Sequence, residues 1–242
     1  DASSAEIDRL VSERMAVEPS LYALDATQLA ALRPDLIVTQ TLCDVCAVPD
    51  SDVERVASKL APTPRVLKLQ PKTLDDVFDS IREVAAAVDA RERGEEVVAE
   101  LRQRVDRVAA RRGSSPPLRV ALLEWLDPPF AAGHWNPELV RLAGGSDVFG
   151  ESGEKSRRVT WDEVAAADPD VIVVACCGLD RHRAATDIEQ LSGGDVWPNL
   201  RAVRSGRVLI FDGSQFFNRS GPRLVESLEM LADGLHRLGA VA

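Results

Sequence analysis

Four cysteines and one histidine carry most of the chemistry that side chains of this sequence could do. Cys43 and Cys46 form a C-x-x-C pair, and Cys176 and Cys177 are adjacent. Thiolates so spaced can hold zinc or iron, and a site built across a cleft from Cys43, Cys46, Cys176, Cys177 or His134 is chemically sensible. A redox pair is a second reading, but it needs a cysteine at a helix N-terminus, where the thiolate is stabilised. The next cap, Ser51, stands well past Cys46. One C-x-x-C without a second pair at fixed spacing is a weak metal signature. The preferred reading makes these cysteines small apolar loop residues within reach of a ligand. His134, beside Trp135, reads first as a hydrogen-bonded loop histidine. Its alternatives are a ligand anchor or an axial ligand to a metal-centred cofactor. His182 and His236 read as surface residues.

Enzymatic signatures are missing from the sequence. It has no GxSxG elbow, no HExxH, no GxxxxGK[ST] and no GxGxxG. No residue is therefore assigned a catalytic role, and the expectation is a protein that is not an enzyme.

The elements that position these residues follow from a repeat. Residues 159–173, VTWDEVAAADPDVIV, answer residues 24–38, LDATQLAALRPDLIV, 135 positions earlier. In each copy a polar residue caps a short helix, and Pro stops it by disfavouring α geometry in the residue before. Asp then leads into an apolar run suited to a buried strand. Two α/β lobes facing one another are the simplest structure that uses such a repeat. Around it the periodicity predicts helices over 3–16, 74–90, 138–143, 184–191 and 222–238, with another capped by Ser51, and strands over 65–69, 119–123 and 208–211. Gly94 is expected to interrupt the helical run, so that a polar bridging helix spans about 95–112 between the lobes. The boundaries predicted are an N-terminal lobe over 1–90, a bridge over 91–113 and a C-terminal lobe over 114–242.

Ligands of open α/β sheets bind outside the carboxyl ends of the strands. Four predicted loops lie there, 39–44, 125–135, 176–180 and 212–219. They hold Trp125, Phe130, Trp135, Phe216 and Phe217, five of only eleven Phe, Trp and Tyr residues. Such concentration points to an apolar ligand wall, with Gln40, His134, Gln215 and Asn218 as polar anchors and Cys43 and Cys177 alongside.

Composition excludes other classes. The formal net charge is −10, from 29 basic and 39 acidic residues, and the basic ones are scattered. Nucleic-acid binding needs concentrated Lys and Arg, so no such partner is expected. No apolar run has membrane-spanning length, and residues 1–20 lack a signal-peptide core. The immediate capping signal Ser3–Glu6 reads as the start of a fragment or a processed chain.

The two helix–Pro–Asp–strand copies, the bridging helix, the segment from Gly133-His134-Trp135 to Gly144-Gly145 and the run Asn218-Arg219-Ser220-Gly221-Pro222-Arg223 together resemble the class III substrate-binding proteins of ABC importers. The likeness is strongest to the cobalamin-binding members of a family that also takes haem and iron–siderophores. It implies two Rossmann-like lobes with mostly parallel sheets joined by a long bridging helix. It implies cobalamin or another metallo-cofactor as ligand, with no cofactor required, and an extracytoplasmic or periplasmic site of action. The two close cysteine pairs, Cys43/Cys46 and Cys176/Cys177, suit a reducing compartment and keep a cytosolic metal or redox protein on the same fold as the alternative. The likeness also implies permease-docking carboxylates at the start of each repeated helix, which map to Asp162 with Glu163 in the second lobe. The equivalent first-lobe position is Thr27, and Asp25 is the nearest carboxylate. Family chains begin with a further strand and loop, absent here, that would complete the first lobe.

Overall fold

The computed structural model describes residues 2–18, 20–40, 42, 47–111 and 116–239. In chain order its first half contains α1 (Ser4–Met15), α2 (Ala26–Leu32), β1 (Leu36–Gln40), α3 (Asp50–Ala57), β2 (Arg65–Leu69), α4 (Leu74–Ala87) and α5 (Arg91–Ala110). The second half contains β3 (Leu118–Leu126), β4 (Pro129–Ala131), α6 (Asn136–Leu142), β5 (Gly145–Asp147), β6 (Arg157–Arg158) and α7 (Trp161–Ala167). It continues with β7 (Val171–Val174), α8 (Arg181–Leu191), α9 (Arg201–Arg204), β8 (Val208–Ile210) and α10 (Leu224–Gly239). β1 and β2 pair in parallel. The second sheet runs β6-β4-β3-β7-β8, with β5 also on β3. Only β4 and β6 join it antiparallel. This is the two-lobed, mostly parallel α/β architecture expected.

Both repeat copies fold alike. The Asp25 carboxylate accepts the Gln28 N–H at 2.8 Å, and the Thr160 hydroxyl accepts the Glu163 N–H at 3.1 Å, so equivalent positions cap α2 and α7. Each helix ends on a left-handed residue directly before Pro, Arg33 at φ 46° and Asp168 at φ 40°. That conformation escapes the clash that Pro imposes on right-handed α geometry, and it closes the last turn onto Ala30 and Ala165. The next Asp sets strand register. Arg65 N–H donates to the backbone oxygen of Asp35 at 2.9 Å, and Arg119 N–H donates to the Asp170 carboxylate at 2.9 Å.

Alternating side chains send the second sheet's residues to two faces. Val120, Leu122, Val171 and Val173 pack under α5, α6 and α10. Ala121, Leu123, Ile172, Val174 and Cys176 form a separate cluster on the other face with Val164 of α7 and Ala184 of α8. The first cluster also takes in Leu74, Val77 and Phe78 of α4, so one apolar core runs from lobe to lobe through α5.

Gly94 does not interrupt a helix. α5 begins at Arg91, and the chain breaks at 88–90, where Asp89 has φ 57°. A Cβ on Gly94 would lie 2.5 Å from the Ala85 Cβ, so glycine here lets α4 and α5 touch rather than ending either. α5 is then pinned to α10 by Arg104, which contacts both Glu229 carboxylate oxygens at 2.9 and 2.6 Å. Other boundaries differ as well, α8 for one starting at Arg181. α3 starts at Asp50 with Pro49, not Ser51, in the cap position, and β3 extends through Trp125 to Leu126.

Candidate functional site

The carboxyl ends of β3, β7 and β8 carry the loops on which the predicted wall residues stand. Trp125 lies on β3 itself and pairs with Phe130 of β4 in a short hairpin. Both are half-buried. Trp125 Nε1 donates to the backbone oxygen of Asp127 at 3.1 Å, and the Arg158 guanidinium sits 5.3 Å from the Phe130 ring centre.

The segment 132–136 is shaped by one close approach. A Cβ on Gly133 would fall 2.4 Å from the Ser156 nitrogen and 2.5 Å from the Glu154 oxygen, so only glycine admits loop 151–156 there. His134, at φ 55°, donates its N–H to the Glu154 oxygen at 2.6 Å and accepts the Gly153 N–H at 2.9 Å. Its Nε2 is buried and has no hydrogen-bond partner among the described residues. Burial holds the imidazole below its ordinary pKa, with the Lys155 and Lys72 charges adding to the effect.

Trp135 and Phe217, expected as ligand wall, are core residues. They are 4% and 0% exposed, and Trp135 Nε1 donates to the backbone oxygen of Phe217 at 2.6 Å. The left-handed backbones of His134 and Phe217 accompany this inward turn. Phe217 stacks on Phe211 with ring centres 5.1 Å apart, so the pair braces the wall from behind. Phe216 is half-buried, with the Arg223 guanidinium 6.0 Å from its ring centre, and Gln215 is exposed. Asn218 spends its Nδ2 on the oxygens of Ala175 and Gly213, at 2.8 and 3.1 Å, and so ties this loop to the end of β7.

From the first lobe, Gln40 ends β1 half-buried, and Leu42 packs against the cluster that holds Trp135 and Phe217. Glu138 of α6 accepts the Leu74 N–H at 3.0 Å, joining the lobes at the start of α4. Along this seam runs an apolar groove of about 320 Å³ lined by Leu69, Ile81, Val84, Val97 and Pro222.

The cysteine-centred alternative finds no geometric support among the described residues. Cys176 is fully buried, and burial, with Asp187 and Glu124 nearby, pushes its thiol up to about 12, far from a thiolate at neutral pH. Cys177 is half-buried, with its N–H donated to the Glu124 oxygen at 2.8 Å. Cys43 and Cys46 lie outside the described residues. No group of three or more His, Cys, Asp or Glu side chains is placed to hold a metal ion among the described residues.

The expected docking carboxylates are unequal. Asp162 is exposed. Glu163 accepts the Thr160 N–H at 2.7 Å and pairs with Arg157, contacts that lower its pKa, and Asp25 is engaged as the α2 cap.

Sequence patterns did not flag Asp147, the last residue of β5. Its Oδ1 accepts the Phe149 and Gly150 N–H groups at 2.8 and 2.7 Å, and its buried Oδ2 has no partner among the described residues. Burial pushes its carboxyl up from 3.8 to about 6, against the pull of those two N–H groups. The folded state thus binds the proton more tightly than the unfolded state. This favours folding below pH 3.8 and is lost as pH rises through 6. Asp147→Asn is expected to raise stability by about 1–2 kcal/mol at pH 8 and by much less near pH 4, as read by urea unfolding at both values.

Comparison with known proteins gives the family and the fold. A vitamin B12-binding protein of Vibrio cholerae serotype O1 is 25% identical over 215 residues, covering 86% of this chain and 70% of the relative. An ABC transporter substrate-binding protein from Listeria monocytogenes EGD-e superposes with TM-score 0.72 at 19% identity, over 88% of this chain and 81% of that one. The periplasmic heme-binding protein RhuT from Roseiflexus sp. RS-1 superposes with TM-score 0.69 at 23% identity, over 89% and 81%. These two structures share the fold. Among the described residues no helix is long and apolar enough to cross a membrane. The family model for periplasmic binding proteins matches residues 23–214, and the chain belongs to that family, as a substrate-binding protein of ABC-type uptake and not an enzyme.

Proposed function

We propose that this protein captures a corrinoid, cobalamin foremost, between its lobes and hands it to an ABC permease on the extracytoplasmic side of a membrane. The observation that carries this is the set of half-buried aromatics at the strand ends of the second lobe, Trp125, Phe130 and Phe216. They offer contact area for a large flat ligand without the cost of ordering flexible side chains. The similarity to a vitamin B12-binding protein over most of the chain supports the corrinoid choice. In this reading Gln40, His134, Gln215 and Cys177 serve as polar anchors, and Cys43 is assigned with them from the sequence alone. Trp135, Phe217 and Asn218 hold the wall in place. For docking, Asp162, Glu163 and Asp25 are all exposed at the helix starts, Asp162 without the capping contacts that engage the other two.

The test is a titration with cyanocobalamin and, separately, with haem, followed by absorbance and calorimetry. Saturable cyanocobalamin binding at micromolar affinity or tighter is expected. Phe130→Ala and Phe216→Ala should each weaken it about tenfold, or 1.4 kcal/mol. Haem saturating where cyanocobalamin does not would overturn the corrinoid choice.

A further inference from the structure

α1 precedes the first lobe in sequence but packs on the second. The Ser4 hydroxyl donates to the Asp187 carboxylate of α8, and both residues are buried, at 2% and 3% exposed. Arg183 of α8 pairs with the other Asp187 oxygen at 3.3 Å and donates to the backbone oxygen of Ala2. One turn along α1, Asp8 pairs with Arg158 of β6 at 3.0 Å, the guanidinium that covers Phe130. Ile7, Val11 and Met15 are half-buried on the helix face shared with Ser4 and Asp8, while Glu6, Arg9 and Glu13 are exposed. α1 therefore reaches from α8 to the β6 edge strand of the second sheet.

The placement has a mechanical meaning. α8 packs in the apolar cluster on the sheet face opposite the one that α5 and α10 cover. The lobes are thus connected twice. α5 joins them on one face, and the chain leaving α1 for α2 joins them on the other. Slack in that second connection is limited, because buried Ser20 folds it locally through paired hydrogen bonds with Tyr22, at 3.0 and 3.1 Å. The contact at Asp187 is built rather than incidental. Without α1, one oxygen of a buried carboxylate would lose its donor.

We propose that α1 is a latch, clipping the entrance of the first lobe to the outer rim of the second, and that the cleft opens for ligand exchange when it lets go. The consequence for ligand kinetics rests on the cleft being the binding site, as proposed above. The opening of the seam does not.

The test therefore reads both. Ser4→Arg places a long cationic side chain at a position only 2% exposed, beside the Arg183 guanidinium, and should evict α1. Asp8→Arg should loosen it, and adding Arg158→Asp should restore the pair. In ligand-free protein, hydrogen exchange is expected to quicken about tenfold along α1 in Ser4→Arg, and also at the Leu74 amide, the seam reporter bonded to Glu138. Cyanocobalamin association and release should both quicken in Ser4→Arg, and the Asp8→Arg/Arg158→Asp pair should return hydrogen exchange along α1 and at Leu74 to wild-type rates. Quicker exchange in α1 with none at Leu74 would overturn the latch, whatever the ligand does. Unchanged ligand rates in a protein that still binds cyanocobalamin would overturn it too. Absence of cyanocobalamin binding in the wild type would count against the corrinoid reading alone, and the Leu74 exchange would still decide the latch.

Discussion

Trp135→Ala is expected to cost about 3–5 kcal/mol of unfolding free energy, the range for emptying a buried aromatic site. Three losses combine. The indole leaves a cavity in the core that joins α4, α6 and α10. The Phe217 backbone oxygen loses its 2.6 Å partner inside that core. The stacking of Phe217 on Phe211 loses its support from behind. Ligand affinity should fall as well, although the ring is too buried to touch a ligand, because Phe216 and Asn218 flank the residue that it anchors. Urea unfolding followed by far-UV circular dichroism measures the first effect. Trp135→Phe separates the terms: it keeps most of the volume, loses the hydrogen bond and should cost about 1–2 kcal/mol. A loss below 1 kcal/mol for the alanine variant would contradict the placement of the indole.

Gly213→Ala should be at least as damaging for a different reason. The added Cβ would lie 2.1 Å from the Cys176 oxygen and 2.7 Å from the carbonyl of Ala175, all main chain with no rotamer to relieve the clash. Either β7's end or the loop must move, and the Asn218 contacts to Ala175 and Gly213 would be lost with it. A cost of about 3 kcal/mol or more is expected, with weakened ligand binding. Gly178→Ala supplies the comparison. Gly178 has φ 75° but open space around it, so only the left-handed penalty of about 1 kcal/mol applies. Equal costs for the two variants would mean that the clash is relieved without displacing the loop.

The repeat was legible because its signals are local. A capping side chain, a Pro and an apolar run act within a few residues, and Asp25, Pro34, Thr160 and Pro169 do what their types require. The buried strand at 171–174 was legible for the same reason. Gly94 misled because a glycine within a helix can serve either a break or a close approach. The Ala85 methyl that decides between them lies nine positions earlier, on another helix. The strands β4, β5 and β6, two or three residues each, exist only through partners elsewhere in the chain and have no period to read. Aromatic composition singled out the strand-end loops but not the direction of each ring. Trp125 and Trp135 look alike in sequence. It takes the left-handed turns at His134 and Phe217 to send one inward and leave the other at the rim. α1 was readable as a helix from Ser3 onward, but its docking on α8 depends on Asp187, far along the chain.

The apolar cluster that passes from Leu74, Val77 and Phe78 through Val98 and Leu101 to Leu122, Val173 and Leu231 ignores the boundary between the lobes. Each lobe supplies part of the other's interior. Cutting the chain between α5 and β3 would leave two fragments with complementary greasy faces and neither with a closed core. Denaturation should accordingly be a single cooperative event rather than two. Evolutionary exchange of one lobe for that of a relative would have to carry α4 and α5 with it.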